Sequence, residues 1–268
     1  MSAETTPLKF REKLGYGLGD TASNFFFQVF NLFLLYYYTD VFGLAPAAVG
    51  TMFLVTKVVD AISDPLMGLI ADRTNSRWGK FRPYLLWAAI PYGFFGYAMF
   101  VSPDLSANGK LIYAYATYTL MMLAYTAINV PYSALMGVIS PLSMERTKVS
   151  SYRFFCAFSA GWLIATFVTP LKNLLGGGNE EIGFRLTMMI FAAISILLFW
   201  VCFATTRERV HPEQTDSDVR ADMRTLFSNG PWIALFFSGV FALTNVAMRA
   251  GSTVFYFKYY VGDDGTPI

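Results

Sequence analysis

The chain is 268 residues long, 55% hydrophobic and only 14% charged, a balance more apolar than soluble domains show. Its net charge of +2, with Lys and Arg scattered between apolar runs, excludes the concentrated basic face of a nucleic-acid binder. His211 is the single histidine and lies far from any Cys, Ser or ligand cluster, so no catalytic constellation and no cofactor motif is present.

Residues 1–13 are polar and mildly basic, without the short apolar core and cleavage site of a signal peptide, so the first helix is expected to stay in the mature protein. About 20 apolar residues in helix cross a bilayer, and seven spans are predicted on that basis, at 15–39, 47–71, 84–101, 111–139, 154–172, 185–204 and 232–261.

The first span places Tyr16, Asp20, Asn24, Gln28 and Asn31 at helical spacing, a polar ridge on an otherwise apolar helix that should line a wet cavity. Amides and carboxylates read sugar hydroxyls and aromatic rings pack on sugar faces, and this helix offers both.

The second span contains Lys57, Asp60 and Asp64 on one helical face. Ionisable residues inside hydrocarbon cost several kcal/mol and usually face a cavity or a partner. Two close carboxylates attract a small hard cation, or share a proton. The structural alternative is that Lys57 neutralises Asp60 in a helix contact and Asp64 caps another group.

The fourth span adds Tyr125, Asn129 and Ser133 in steps of four, with Thr126 beside them and Pro131 loosening the helix. The bland reading is that Asn, Ser and Thr bond across helices, each worth about 1 kcal/mol. Arg153 opens the fifth span and could reach a substrate, whereas Arg249 and Lys258 in the seventh could snorkel to an interface. Cys156 and Cys202 fall within the fifth and sixth spans, where a thiol behaves as a small hydrophobe. The Gly176 to Gly178 run has no following Lys and Ser or Thr, so it is not a phosphate loop.

Loop charge sets orientation. One set of flanks carries Lys9, Arg11, Lys13, Arg73, Arg77, Lys80, Arg82, Arg146, Lys148, Arg207, Arg209, Arg220 and Arg224, against Lys110 and Lys172 on the other. By the positive-inside rule the N-terminus is cytoplasmic, and 205–230 is a solvated cytoplasmic linker. Six spans, a long loop and a seventh span match a two-half transporter cut early in its second half, with boundaries at 1–204, 205–230 and 231–268.

Gly68 to Pro83, GLIADRTNSRWGKFRP, resembles the loop between spans two and three of the major facilitator superfamily, with Asp72, Arg73 and Arg77 as its charged hinge. More narrowly, YYYTDVFGL at Tyr36 to Leu44, DAISDP at Asp60 to Pro65, RWGKFRP at Arg77 to Pro83 and NVPY at Asn129 to Tyr132 resemble the glycoside, pentoside and hexuronide cation symporters, the melibiose permease family. The resemblance implies an all-α membrane protein of the cell inner membrane: an N-terminal six-helix bundle plus the first helix of the C-terminal half. It implies that Asp60 and Asp64 hold the coupling cation, sodium or a proton, with Thr126 assisting. It implies sugar contacts at Asn24, Tyr125, Asn129 and Arg153, beside Asp20 of the same ridge. Melibiose-type members carry Asp where this chain has Asn24 and Asn129, and Trp where it has Ser133, which points away from galactosides towards xylosides or hexuronides.

The expected function is cation-coupled symport of a small sugar or glycoside, with lipid around the bundle and the remaining C-terminal helices needed for activity. A truncated remnant that transports nothing, or a sugar-binding sensor of the same fold, are the alternatives.

Overall fold

The computed structural model describes residues 7–210, 225 and 228–256, and these form helices joined by short turns, with no strand among them. The chain divides into two units, Met1–Pro212 and Glu213–Ile268.

In the first unit α1 covers Phe10–Val29 and runs on through two widened π-helical turns, Phe30–Leu34 and Tyr37–Val41. These turns accommodate Tyr37 and Tyr38, both fully buried, against Phe42, Phe100 and Phe184. Gly43, at φ +84, reverses the chain. Pro46 then opens α2, Pro46–Arg73, at a position where its missing N–H costs nothing.

The third expected span is broken into α3, Arg82–Trp87, and α4, Ala89–Ala98. Pro91 explains the break: it cannot donate to the carbonyl of Trp87, and its ring crowds that carbonyl. Ser106 caps α5, Ala107–Val138, by accepting from the Gly109 N–H, and Asn179 caps α7, Glu180–Thr205, by accepting from the Ile182 N–H at 3.1 Å. Between them α6, Ser143–Gly176, ends on Gly177 in the left-handed conformation, so the glycine run is a helix stop. The fifth span is expected at 154–172, but α6 begins at Ser143, extending beyond the apolar run at its basic end.

Three of these helices, α5, α6 and α7, are long and apolar enough to cross a membrane. The polar ridge keeps α1 out of that set, Pro91 divides the third span, and α2 carries Lys57, Asp60, Asp64, Asp72 and Arg73.

Packing follows a repeat. α1 lies against α6 and α7, and α5 against α2 and the α3–α4 rod, so the leading helix of each triplet packs on the two trailing helices of the other. Small residues allow the approach. A Cβ on Gly17 would sit 3.0 Å from the Tyr152 carbonyl oxygen of α6, and one on Gly96 would strike the Phe26 ring at 2.5 Å.

Ion pairs gather the flanks with the larger Lys and Arg set at one end. Glu145 accepts from Lys13 at 2.7 Å, from Lys148 at 2.8 Å and from the Leu8 N–H at 3.0 Å, while Arg209 reaches Glu12 at 2.6 Å. At the opposite end Lys172 is paired with Glu180, which also accepts from the Tyr36 hydroxyl. Arg185, inside the expected sixth span, lies near Tyr37 and so belongs to this end as well.

In the second unit α8 spans Gly230–Tyr256, entered through the Asn229 side chain, which accepts from the Trp232 N–H at 3.2 Å. The end of the expected seventh span, including Lys258, and His211 of the linker lie outside the described residues.

Candidate functional site

The polar ridge of α1 meets α6 where glycine permits it. Arg153 Nε donates to Asp20 Oδ1 at 3.2 Å, and the Asp20 side chain is 9% exposed against 29% for Arg153. The guanidinium also lies 5.4 Å from the centre of the Tyr132 ring. Beside it Tyr16 and Tyr132 stack at 4.5 Å, and each hydroxyl donates to the other's backbone carbonyl, at 2.9 and 2.7 Å. This reciprocal pair of hydrogen bonds fixes α1 against α5. Asn24 Nδ2 donates to the Asp20 carbonyl at 2.9 Å, leaving its own Oδ1 without a protein donor among the described residues. Asn31, at the ridge's far end, is exposed and donates to Phe27.

A second cluster lies between α2 and α5. Lys57 Nζ is 3.3 Å from Asp60 Oδ2, but the lysine side chain is 67% exposed and the aspartate 16%, so the ammonium sits at the rim. Asp60 Oδ1 is buried and receives no hydrogen bond from the described residues. An acceptor in that state has lost water without replacement, a cost that a cation or a proton would remove. One turn on, Thr126 Oγ1 donates to Asp64 Oδ1 at 2.7 Å, and Asp64 itself is exposed. No group of three His, Cys, Asp or Glu converges among the described residues. The donors at α2 and α5 are oxygens alone, which suits a hard monovalent cation or a proton rather than a transition metal.

Consecutive residues of α5 serve the two clusters. Thr126 touches Asp64, while Tyr125, half-buried, lies within Coulombic range of Asp20 and Arg153 and also of Asp60 and Asp64. Its ring neighbours Phe27 and Tyr92 at 6.4 and 6.3 Å. Asn129 is half-buried without a hydrogen bond to the described residues, and Ser133 is exposed.

Asp72, Arg73 and Arg77 are exposed at the end of α2 and in the loop after it, and form no ion pair among the described residues. Arg77 instead stacks over Trp78 at 4.3 Å. The stronger feature of this loop leaves little trace in the sequence. The carboxylate of Glu208, in the expected solvated linker, accepts from the backbone N–H groups of Lys80, Phe81 and Arg82 at 2.8, 2.8 and 3.0 Å. The Arg209 and Val210 N–H groups both donate to the Val138 carbonyl, at 2.8 and 3.0 Å, so residues 208–210 are bound to the bundle rather than solvated. Only the TRERV pattern itself, two arginines around one glutamate directly after an apolar helix, hints at a built helix end.

The sequence matches the model of a family described as MFS/sugar transport protein over residues 15–268. The inner membrane symporter YicJ of Escherichia coli (strain K12) is 43% identical over 95% of this chain and 55% of its own length. The putative glycoside/cation symporter YagG of the same organism is 44% identical over the same shares. The isoprimeverose transporter of Lactiplantibacillus pentosus is 35% identical over 94% of this chain and 53% of its own. The chain thus spans about half the length of the curated relatives it matches.

Proposed function

The chain belongs to the MFS/sugar transport protein family, and we propose that it supplies the first half, and the first helix of the second half, of a cation-coupled sugar symporter working by alternating access. It is a multi-pass membrane protein. In this reading 1–204 is the six-span half, 205–230 the middle loop and 231–268 the start of the second half. The protein lies in the cell inner membrane with its basic end, and so the N-terminus, in the cytoplasm.

The observation that carries the reading is the unsatisfied Asp60 Oδ1, next to the Thr126–Asp64 bond and across Tyr125 from the Asp20–Arg153 pair. A sodium ion or proton binds at Asp60 and Asp64 and, together with the Lys57 ammonium beside Asp60, balances their two negative charges. That removes the repulsion between two carboxylates and the cost of the bare oxygen, and it settles Thr126 and therefore Tyr125. Tyr125, Asn24 and Asn129 then offer a ring face, the free Asn24 Oδ1 and the Asn129 amide to a glycoside, with Arg153 held in place by Asp20. The names of the relatives, a glycoside/cation symporter and an isoprimeverose transporter, favour a glycoside as the substrate class.

The apolar faces of α2, with Leu54, Val58 and Ile62, and of α6, with Phe155, Phe158 and Trp162, are exposed and suit contact with lipid. Charge on the loop of Asp72, Arg73 and Arg77 is exposed and free of ion pairs among the described residues, as a conformational loop requires.

The test is uptake of a labelled glycoside by proteoliposomes of the full-length protein under an imposed sodium or proton gradient. Gradient-driven accumulation that is lost in Asp60→Asn supports the reading. Accumulation that persists in Asp60→Asn refutes the assignment of the coupling site, and equilibration without accumulation in the wild type refutes symport.

A further inference from the structure

The basic end carries a cavity of about 410 Å³ between the α2–α3 loop and the segment after α7, away from the clusters of the membrane interior. Its lining includes Asn75, Arg77, Lys80, Arg82, Arg207 and Glu208, four cations against one carboxylate. That carboxylate is committed to the Lys80, Phe81 and Arg82 backbone N–H groups, and it forms no ion pair with the surrounding cations. Arg77, Lys80 and Arg207 form no ion pair with any described residue. Arg82 donates to the Phe203 and Trp78 carbonyls, yet its Nε–H is buried and has no acceptor among the described residues.

The walls are fixed. Gly79 stands at φ +109, and a Cβ there would fall 2.3 Å from the Glu208 carboxyl carbon, so loop and clamp interlock. Arg77 is stacked on Trp78, which packs edge-on against Phe203. Like charges held around a concavity in this way repel one another unless an anion joins them, and low-dielectric walls focus their field into it.

We infer that this cavity is a binding site for a phosphate group. A tetrahedral phosphate offers acceptors in several directions, matching arginine forks and a lysine that converge from separate segments. The cavity lies at the ends of α2, α3 and α7 and is lined by Trp78, a residue type enriched where helices leave the hydrocarbon for the headgroups. The phosphate therefore comes either from an anionic lipid or from a soluble phosphate, and the chemistry of recognition is shared. The inference does not rest on the sugar reading, because both arms of its test measure binding rather than transport.

The full-length protein in neutral detergent is titrated with inorganic phosphate against chloride at matched ionic strength, following thermal unfolding. In parallel, lipid retention is measured by native mass spectrometry after reconstitution in mixed phosphatidylcholine and phosphatidylglycerol nanodiscs. The double variant K80Q/R207Q weakens binding about tenfold or more in the arm that reports the true source, and the charge-conserving K80R/R207K restores it. A saturable phosphate shift lost in K80Q/R207Q identifies a soluble ligand. Selective phosphatidylglycerol retention lost in the same variant identifies a lipid. Equal behaviour of wild type and K80Q/R207Q in both arms overturns the site.

Discussion

Thr126 Oγ1 donates to Asp64 Oδ1 across 2.7 Å, tying α5 to α2, while Asp60 Oδ1 one turn away is buried with no donor among the described residues. The two carboxylates are therefore unequal: Asp64 is served by a hydroxyl and exposed, whereas Asp60 has one oxygen against Lys57 and the other buried without a donor. In the proposed symport a coupling ion would act on that difference.

Replacing Thr126 by Ala removes the donor and leaves the rest of α5 intact. Because Asp64 is exposed, the loss is discounted to about 1 kcal/mol, a several-fold weaker cation affinity. Thr126→Ser keeps the hydroxyl and should bind the cation as the wild type does. Cation titrations followed by Trp fluorescence distinguish the pair.

The reciprocal Tyr16 and Tyr132 bonds predict coupling between α1 and α5. Tyr16→Phe and Tyr132→Phe each remove one hydroxyl, and a double-mutant cycle on melting in detergent should give an interaction of about 1 kcal/mol or less through the retained stack. Strict additivity would show that the two bonds act independently.

Glu208→Ala strips three charge-assisted acceptor contacts from the turn leading into α3. A loss of about 2 kcal/mol follows, read as a lowered melting temperature and faster proteolysis between Arg73 and Arg82. Gly79→Ala should do similar damage by a different route, through its positive φ and the Glu208 carboxyl behind it.

Much of this architecture is legible in the sequence because lipid imposes length and polarity rules on each helix. The ridge from Tyr16 to Asn31 and the Lys57, Asp60, Asp64 face follow from spacing alone, since helical periodicity brings such residues to one side. Spacing within a helix says nothing of the partner on the next one. The Asp20–Arg153 contact depends on how closely Gly17 lets α6 approach, and the Tyr16–Tyr132 exchange on the relative height of α1 and α5. Glu208 reads as a solvated linker residue because its three partners are backbone N–H groups more than a hundred residues away, which leave no side-chain signature. The break at Ala88 is signalled by Pro91, yet the apolar run around it reads as one continuous span.

Asp20 and Arg153 form an ion pair across the α1–α6 seam, and removing either partner strands the other. Asp20→Asn and Arg153→Gln should each destabilise by about 2–3 kcal/mol, a figure reduced from the fully buried range because Arg153 is partly exposed. The double variant should regain part of that stability without regaining sugar binding. Melting curves and ligand protection measured on all three variants check both halves of the statement.

The most direct measurement is a calorimetric titration of the full-length protein with a glycoside, with and without the coupling cation, in wild type and Asp60→Asn. Reciprocal coupling predicts that the cation raises glycoside affinity of the wild type by about 5–150-fold. Asp60→Asn should bind the glycoside with one affinity whatever the cation. Cation-enhanced glycoside binding that survives in Asp60→Asn would contradict the account.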